Sequence, residues 1–242
     1  ALVGIDQEWI PKIEGSALYI RPLMFAMDEM VGVKPSDTFK FLIILLPVGP
    51  YYPKPIKLLV EHHYIRAAQG GVGEAKTAGN YAAAMYPSKL AREKGFDQIL
   101  WLDAVHHKFV QEVGTMNIFF VFNDEVVTPA TSGTILKGIT RISAIDILRE
   151  EGYKVREREL SIDEVLSRHE AGELVEVFGT GTAALIANVE EIKYDDKTIQ
   201  LKDTNWKVSG MIRDEINGMR YGTMEDKRGW TVPVKSPVGI PA

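Results

Sequence analysis

Lys76 is the first residue whose surroundings promise chemistry. In GGVGEAKTAGNY, residues 70–81, it follows Gly70, Gly71 and Gly73 and precedes a helix-like run. The spacing nearly makes the phosphate-gripping loop G-x-x-x-x-G-K-[ST], but Ala75 stands where that loop needs a glycine to let backbone N–H groups wrap a phosphate. The upstream EHHYIRAAQ is polar and does not read as a buried strand, and no later apolar run ending in Asp supplies a magnesium ligand. Lys76 therefore needs another role. A second glycine segment, FGTGTAA at 178–184, matches the dinucleotide fingerprint in its G-x-G-x-x-A form, yet LIANVEEIKYDDKTIQL behind it reads as strands and a hairpin rather than the required helix. Its close backbone N–H groups and the hydroxyls of Thr180 and Thr182 still make an anion cradle. Gly138, Ile139 and Thr140 offer another at a helix start, where unpaired N–H groups and the dipole favour negative charge. Two anion cradles and a lysine point to a phosphorylated cofactor.

Pyridoxal phosphate requires such a set: a lysine to hold its aldehyde and move a proton, and an acid beside the ring nitrogen to keep the ring electron-accepting. Glu112, in QEVGTMN, is the candidate acid, because Val113 and the apolar strand after it draw it into the interior. A buried carboxylate requires a cationic partner, and pyridinium is one. His62-His63 and His106-His107 are adjacent pairs; neighbours on a strand face opposite ways, so no metal site is expected from them.

The elements that must position these groups are mixed. Strands are expected at 17–21 and 38–46, the second inside FKFLIILLPV, read as a buried strand stopped by Pro47. PVGPYYPKP, 47–55, has the composition of a stiff linker between a small first domain, 1–46, and a large domain, 56–242. Further strands are expected at 98–103, 110–114, 116–122, 174–182, 189–194 and 198–201. Helices are expected at 80–93, despite Pro87, at 139–151 with Ile142, Ile145 and Leu148 inward, at 162–169 behind Ser161 as N-cap, and at 207–218. Without a regular βαβ rhythm the class is α+β.

Composition narrows the function. A chain of 242 residues, 45% hydrophobic, can bury a sizeable core. A net charge of -5 leaves no basic stripe for nucleic acid. No apolar run is long enough to span a bilayer, and no signal peptide is evident, so a cytoplasmic protein is expected. Without cysteine there is no disulfide or thiolate nucleophile.

GEAKTAGNY, QEVGTMNIFF, LKGITR and FGTGTA, in that order, resemble the motifs of the branched-chain amino acid aminotransferases, pyridoxal phosphate enzymes of fold type IV. DQEWIPKIEGSALYIRP and PVGPYY extend the resemblance over nearly the whole chain. The resemblance implies that Lys76 forms the Schiff base with the cofactor, the preceding glycines letting the chain approach it, and that Tyr81 lies beside the ring oxygen. Glu112 would contact the ring nitrogen, with Thr115 of the same motif also at the cofactor. Backbone N–H groups of Ile139 and Thr140, with the Thr182 hydroxyl, would hold the phosphate. Tyr19, Thr182 and Ala183 would line the substrate pocket, Arg21 would sit near the substrate carboxylate, and Tyr51 on the interdomain loop. Implied are small-molecule substrates (leucine, isoleucine or valine, their 2-oxo acids, and glutamate with 2-oxoglutarate) and a homodimer in which the loop around Val33 reaches the neighbouring site. Family members carry a considerable segment before the position of Ala1, including a phosphate-binding arginine, so a longer functional molecule is expected. AALIA follows the Gly-Thr motif where some members place a redox Cys pair, which excludes thiol regulation. Rival readings are D-amino acid transamination, aminodeoxychorismate cleavage, or a cofactor-binding or structural domain without turnover.

Overall fold

The computed structural model describes residues 2–13, 15–49, 52, 54–201 and 205–234. The chain forms two compact units, one from Ala1–Tyr51 with Lys227–Ala242, the other Tyr52–Asp226. The segment from residue 227 thus groups with the first unit, whereas the sequence pattern assigns it to the large domain.

In the first unit a short helix, α1 (Leu2–Ile5), and a 3-10 turn precede an antiparallel hairpin, β1 (Ala17–Ala26) and β2 (Phe39–Val48), paired from Ala17 with Val48 to Ala26 with Phe39. Both strands outrun their expected ends, and Pro47 does not stop β2. In a two-stranded ribbon each strand is an edge, and a proline can turn its missing donor outward. Pro22 and Pro47 accordingly pair with Ile43 and Leu18. Neither strand is buried in this chain: Phe39, Phe41 and Leu46 are all exposed, which corrects the buried reading of FKFLIILLPV. Asp28 organises the connecting loop by accepting from the Thr38 hydroxyl (2.6 Å) and from the Asp37 and Thr38 N–H groups (both 3.1 Å). These bonds hold its carboxyl well below the usual range.

The second unit is a nine-stranded mixed sheet with helices on its outside. Its strands are β3 (Ile56–Val60), β4 (Gln98–Leu102), β5 (Val110–Val113), β6 (Asn117–Phe122), β7 (Val126–Thr128), β8 (Val155–Glu157), β9 (Leu174–Gly181), β10 (Leu185–Tyr194) and β11 (Lys197–Gln200). Their order is β5-β4-β3-β10-β9-β6-β7-β8, with β11 on β10. Val113 and Met116 exchange backbone bonds of 3.0 and 2.8 Å across the tight turn that joins β5 to β6.

Side-chain alternation sorts the core. Along NIFFVF of β6, Ile118, Phe120 and Phe122 join Leu58, Leu100, Val177 and Val189 in one cluster, while Phe119 and Val121 face the other way. There they meet α3 (Ile139–Glu150) and α5 (Lys207–Arg220) in a second cluster. Ile99 and Trp101 pack a third with Ala84 and Ala91 of α2 (Ala78–Glu93). α4 (Ile162–Glu170) begins at Ser161, whose hydroxyl accepts from Glu164 N–H at 3.1 Å, the expected N-cap. On α3 the buried stripe is Arg141, Ala144, Ile145, Ile147 and Leu148, and Ile142 faces outward instead of inward. Arg141 fits that stripe because its Nη2 donates to the Pro129 carbonyl (2.9 Å) and to Glu157 (3.0 Å). Fully buried Glu176 anchors the start of α5, accepting from Val208 N–H, Ser209 N–H and the Ser209 hydroxyl at 2.8–3.0 Å. No helix among the described residues is long and apolar enough to cross a membrane.

Candidate active site

One pocket of the second unit is lined by Arg66, Gly73, Ala75, Lys76, Asn80, Tyr81, Ala84, Glu112, Gly114, Thr115 and Leu136. It thus brings together four of the residues singled out from sequence: Lys76, Tyr81, Glu112 and Thr115. Lys76 stands at the end of the loop after β3, just before Thr77, the extended N-cap of α2. Two side chains that sequence reasoning did not single out hold this loop. The Asn80 amide donates to the carbonyls of Val72 and Ala75, both at 2.8 Å. Arg66 donates to the Gly73 carbonyl through Nη2 at 3.1 Å and Nη1 at 3.4 Å. Gly73 is glycine for a reason inside the protein: a Cβ there would come within 2.5 Å of the Ala67 Cβ and 2.6 Å of the Thr134 carbonyl oxygen. Gly73 therefore shapes the loop against its own neighbours, a role that the cofactor-approach reading did not include. Lys76 itself is exposed, its ammonium 5.8 Å from the centre of the Tyr81 ring.

Glu112, on β5, is 3% exposed. One carboxylate oxygen accepts from the Asn117 amide at 3.0 Å and from Leu136 N–H at 3.1 Å. The other forms an ion pair with Arg66. Burial pushes the Glu112 carboxyl up to about 7, against the pull of the Arg66 charge, the Leu136 N–H, the Arg66 hydrogen bond and the Lys76 charge. Every partner is a donor. A carboxylate offers about four acceptor positions, and one more donor from the pocket can still be taken.

The anion cradles sit on neighbouring elements. Gly138, the N-cap of α3, supplies no side-chain cap to the first turn, which begins at Ile139 and Thr140. Ile139 is 75% exposed. Asn117 ties this start to the acid, since its amide also donates to the Leu136 carbonyl at 2.8 Å. Asn117 pairs across the sheet with Thr180 of β9, and exposed Thr182 and Ala183 lie in the turn from β9 to β10. Thr180 does not share the cradle with Thr182: it is 1% exposed, turned into the sheet. Gly179 has its own packing reason, because a Cβ there would meet the Met116 and Val113 side chains at 3.0 Å. Ile139, Thr140, Thr182 and Ala183 are not among the residues lining the Lys76 pocket.

Tyr19 and Arg21 belong to the first unit, where Arg21 Nη2 donates to the Tyr19 hydroxyl at 2.8 Å and its guanidinium lies 4.9 Å over the Tyr19 ring. Tyr51 lies outside the described residues.

Residues 6–192, which include the lysine and the buried carboxylate of this pocket, match the family described as Amino-transferase class IV. The chain belongs to that family, with the fold of the type IV enzymes. It is 48% identical over 237 residues to the branched-chain-amino-acid aminotransferase 2 of Bacillus subtilis (strain 168), covering 96% of this chain and 65% of the relative. It is 39% identical to the branched-chain-amino-acid aminotransferase of Mycolicibacterium smegmatis, covering 95% of this chain and 65% of that protein. The chain therefore spans about two thirds of the length of these relatives. Among solved structures, the Escherichia coli branched-chain amino acid aminotransferase superimposes with a TM-score of 0.73 at 30% identity, covering 88% of this chain and 69% of that one. The T.th. branched-chain amino acid aminotransferase complexed with N-(5'-phosphopyridoxyl)-L-glutamate does so with a TM-score of 0.74 at 27% identity, covering 88% and 68%.

Proposed function

We propose that this chain carries the cofactor site of a pyridoxal phosphate-dependent branched-chain amino acid aminotransferase, moving the amino group between leucine, isoleucine or valine and 2-oxoglutarate. The observation that carries the reading is the pocket in which the Lys76 amine and the Glu112 carboxylate face the same space. The residues fit the cofactor: an exposed amine for its aldehyde, a buried carboxylate with an acceptor position left for a ring N–H, and the uncapped start of α3 for its phosphate. When bound, pyridoxal phosphate supplies the aldehyde that takes the amino group and the ring that draws electrons from the substrate Cα.

The protein's part is positioning and proton movement. Lys76 would hold the cofactor through its aldehyde and would move the proton on and off the substrate Cα. Glu112 would accept from the ring N–H and so keep the proton on that nitrogen. Tyr81 stands beside Lys76 to donate to the ring oxygen, and Thr115 closes the pocket wall next to Glu112. Ile139 N–H, Thr140 N–H and the Thr182 hydroxyl would hold the phosphate, with Ala183 in the same turn toward substrate. Tyr19 and Arg21, hydrogen-bonded to each other, and Tyr51 are assigned to the substrate side. The loop between β1 and β2, with the apolar Val31 and Val33 fully exposed, favours a homodimer, and cytoplasm is the compartment this metabolism implies. Substrate profiling tests the function. The pyridoxal phosphate-loaded protein should convert L-leucine and 2-oxoglutarate to glutamate. Transfer confined to D-amino acids, or pyruvate release from aminodeoxychorismate, would replace this reading with one of its rivals.

A further inference from the structure

Arg66 makes contacts that the aminotransferase chemistry does not require. It lies on neither a strand nor a helix, and its side chain is only 8% exposed. One guanidinium edge holds the Gly73 carbonyl, in the loop that ends at Lys76. The same Nη2 also pairs with the Glu112 carboxylate. A single planar group therefore spans the base-bearing loop and the acid, which stand 36 residues apart in sequence. Its Nε is buried without a partner among the described residues, so Arg66 is held by these two contacts and not by a wider network.

We propose that Arg66 is the positioning residue of the site: it fixes the loop of residues 70–76 against Glu112 and favours the carboxylate form of Glu112, an acceptor toward the pocket, against the push of burial. The physical case is the donor count. Asn117 and Leu136 occupy one carboxylate oxygen with donors, and Arg66 supplies the only full charge in direct contact among the described residues. The charged and titratable groups lining the pocket are Arg66, Lys76, Tyr81 and Glu112; the contacts from β6 and from the segment before α3 are neutral. Without the guanidinium, a nearly buried carboxylate keeps only hydrogen bonds and the more distant Lys76 charge, and burial favours its neutral form. A protonated Glu112 would then turn an O–H toward groups that are themselves donors. Lysine at this position would restore the charge but not the planar fork.

The consequence for catalysis rests on the cofactor reading above, but the test needs neither cofactor nor substrate, so the two can fail separately. Infrared difference spectra of the folded protein, with Glu112→Gln identifying the band, follow the protonation of Glu112 with pH. Arg66→Met should raise the midpoint by about one pH unit or more, equivalent to a tenfold change in proton affinity. An unchanged or lowered midpoint overturns the proposal. Arg66→Lys should leave the midpoint within about half a unit of the parent, while hydrogen exchange of the amides at 70–76 quickens several-fold. Unchanged exchange there would overturn the loop-fixing half, and this variant serves also if Arg66→Met does not fold. On the loaded protein, Arg66→Met should weaken pyridoxal phosphate binding about tenfold at neutral pH, with little further loss in the Glu112→Gln background. Full additivity would mean that Arg66 does not act through Glu112.

Discussion

Replacing Glu112 by glutamine should separate stability from function in a pH-dependent way. Burial raises the Glu112 carboxyl from 4.5 to about 7 in the folded protein. For an acid raised on folding, the stability contribution is fully present below the unfolded value and is lost as pH climbs to the folded one. Between pH 5 and pH 8 this group alone should then cost the parent about 2.5 kcal/mol of unfolding free energy. Glutamine, which resembles the protonated acid in shape and cannot ionise, escapes that loss. Glu112→Gln should therefore gain about 2 to 3 kcal/mol on the parent from pH 5 to pH 8, all other titrating groups cancelling in the comparison. Urea unfolding followed by circular dichroism at half-unit steps of pH measures it. Meanwhile kcat for leucine should fall about a hundredfold or more, because an amide cannot hold a proton on the ring nitrogen. Parallel stability curves for parent and variant would refute the burial argument, and kcat within a few-fold of the parent would refute the assignment to the ring.

Two other perturbations probe the frame around the site. Gly73→Ala places a methyl group 2.5 Å from the Ala67 Cβ and 2.6 Å from the Thr134 carbonyl; it should cost about 1–3 kcal/mol by overpacking and, by displacing Lys76, about a hundredfold in kcat. An unchanged urea midpoint and kcat would mean that the loop yields freely. Asp103 accepts from the N–H groups of Val105, His106, Lys108 and Phe109 at 2.7–3.1 Å, and although burial works the other way these bonds hold its carboxyl at about 2. That stabilisation is present above the unfolded value of 3.8 and is lost as pH falls through about 2, so Asp103→Ala should lower stability near neutrality by about 1–3 kcal/mol and flatten acid unfolding, measured by fluorescence between pH 5 and 2.

Much of the frame was legible from local signals. The N-cap at Ser161, the unbroken apolar run of NIFFVF and the helix at 207–220 each announce themselves within a few residues. Elements that depend on distant partners do not. β3 is five residues, IKLLV, beside a proline-rich stretch, and it becomes a strand by pairing in parallel with β10 and β4. β7 and β8 are three residues each and are held by pairing, β7 antiparallel to β6 and β8 parallel to β7. β10 begins at Leu185, in a left-handed conformation (φ 54°) that no sequence periodicity signals. On α3 a buried arginine disguised the inward stripe, because its charge is met by Glu157 of β8.

The site divides in the same way. Lys76, Tyr81 and Glu112 stood out by residue type and motif. Arg66 and Asn117 did not: Arg66 sits in a polar run and meets Glu112 across 46 residues of sequence, and Asn117 looks like a turn residue before an apolar strand. A search for the donors that a buried Glu112 must have would have been the signal for both.

The central claim, that Lys76 is the residue that bonds pyridoxal phosphate, is tested most directly by sodium borohydride reduction of the loaded protein followed by peptide mapping. The account predicts a pyridoxyl group on the peptide containing Lys76, and its loss in Lys76→Ala. A label on any other lysine, or a protein that transfers amino groups with Lys76 unlabelled, would contradict it.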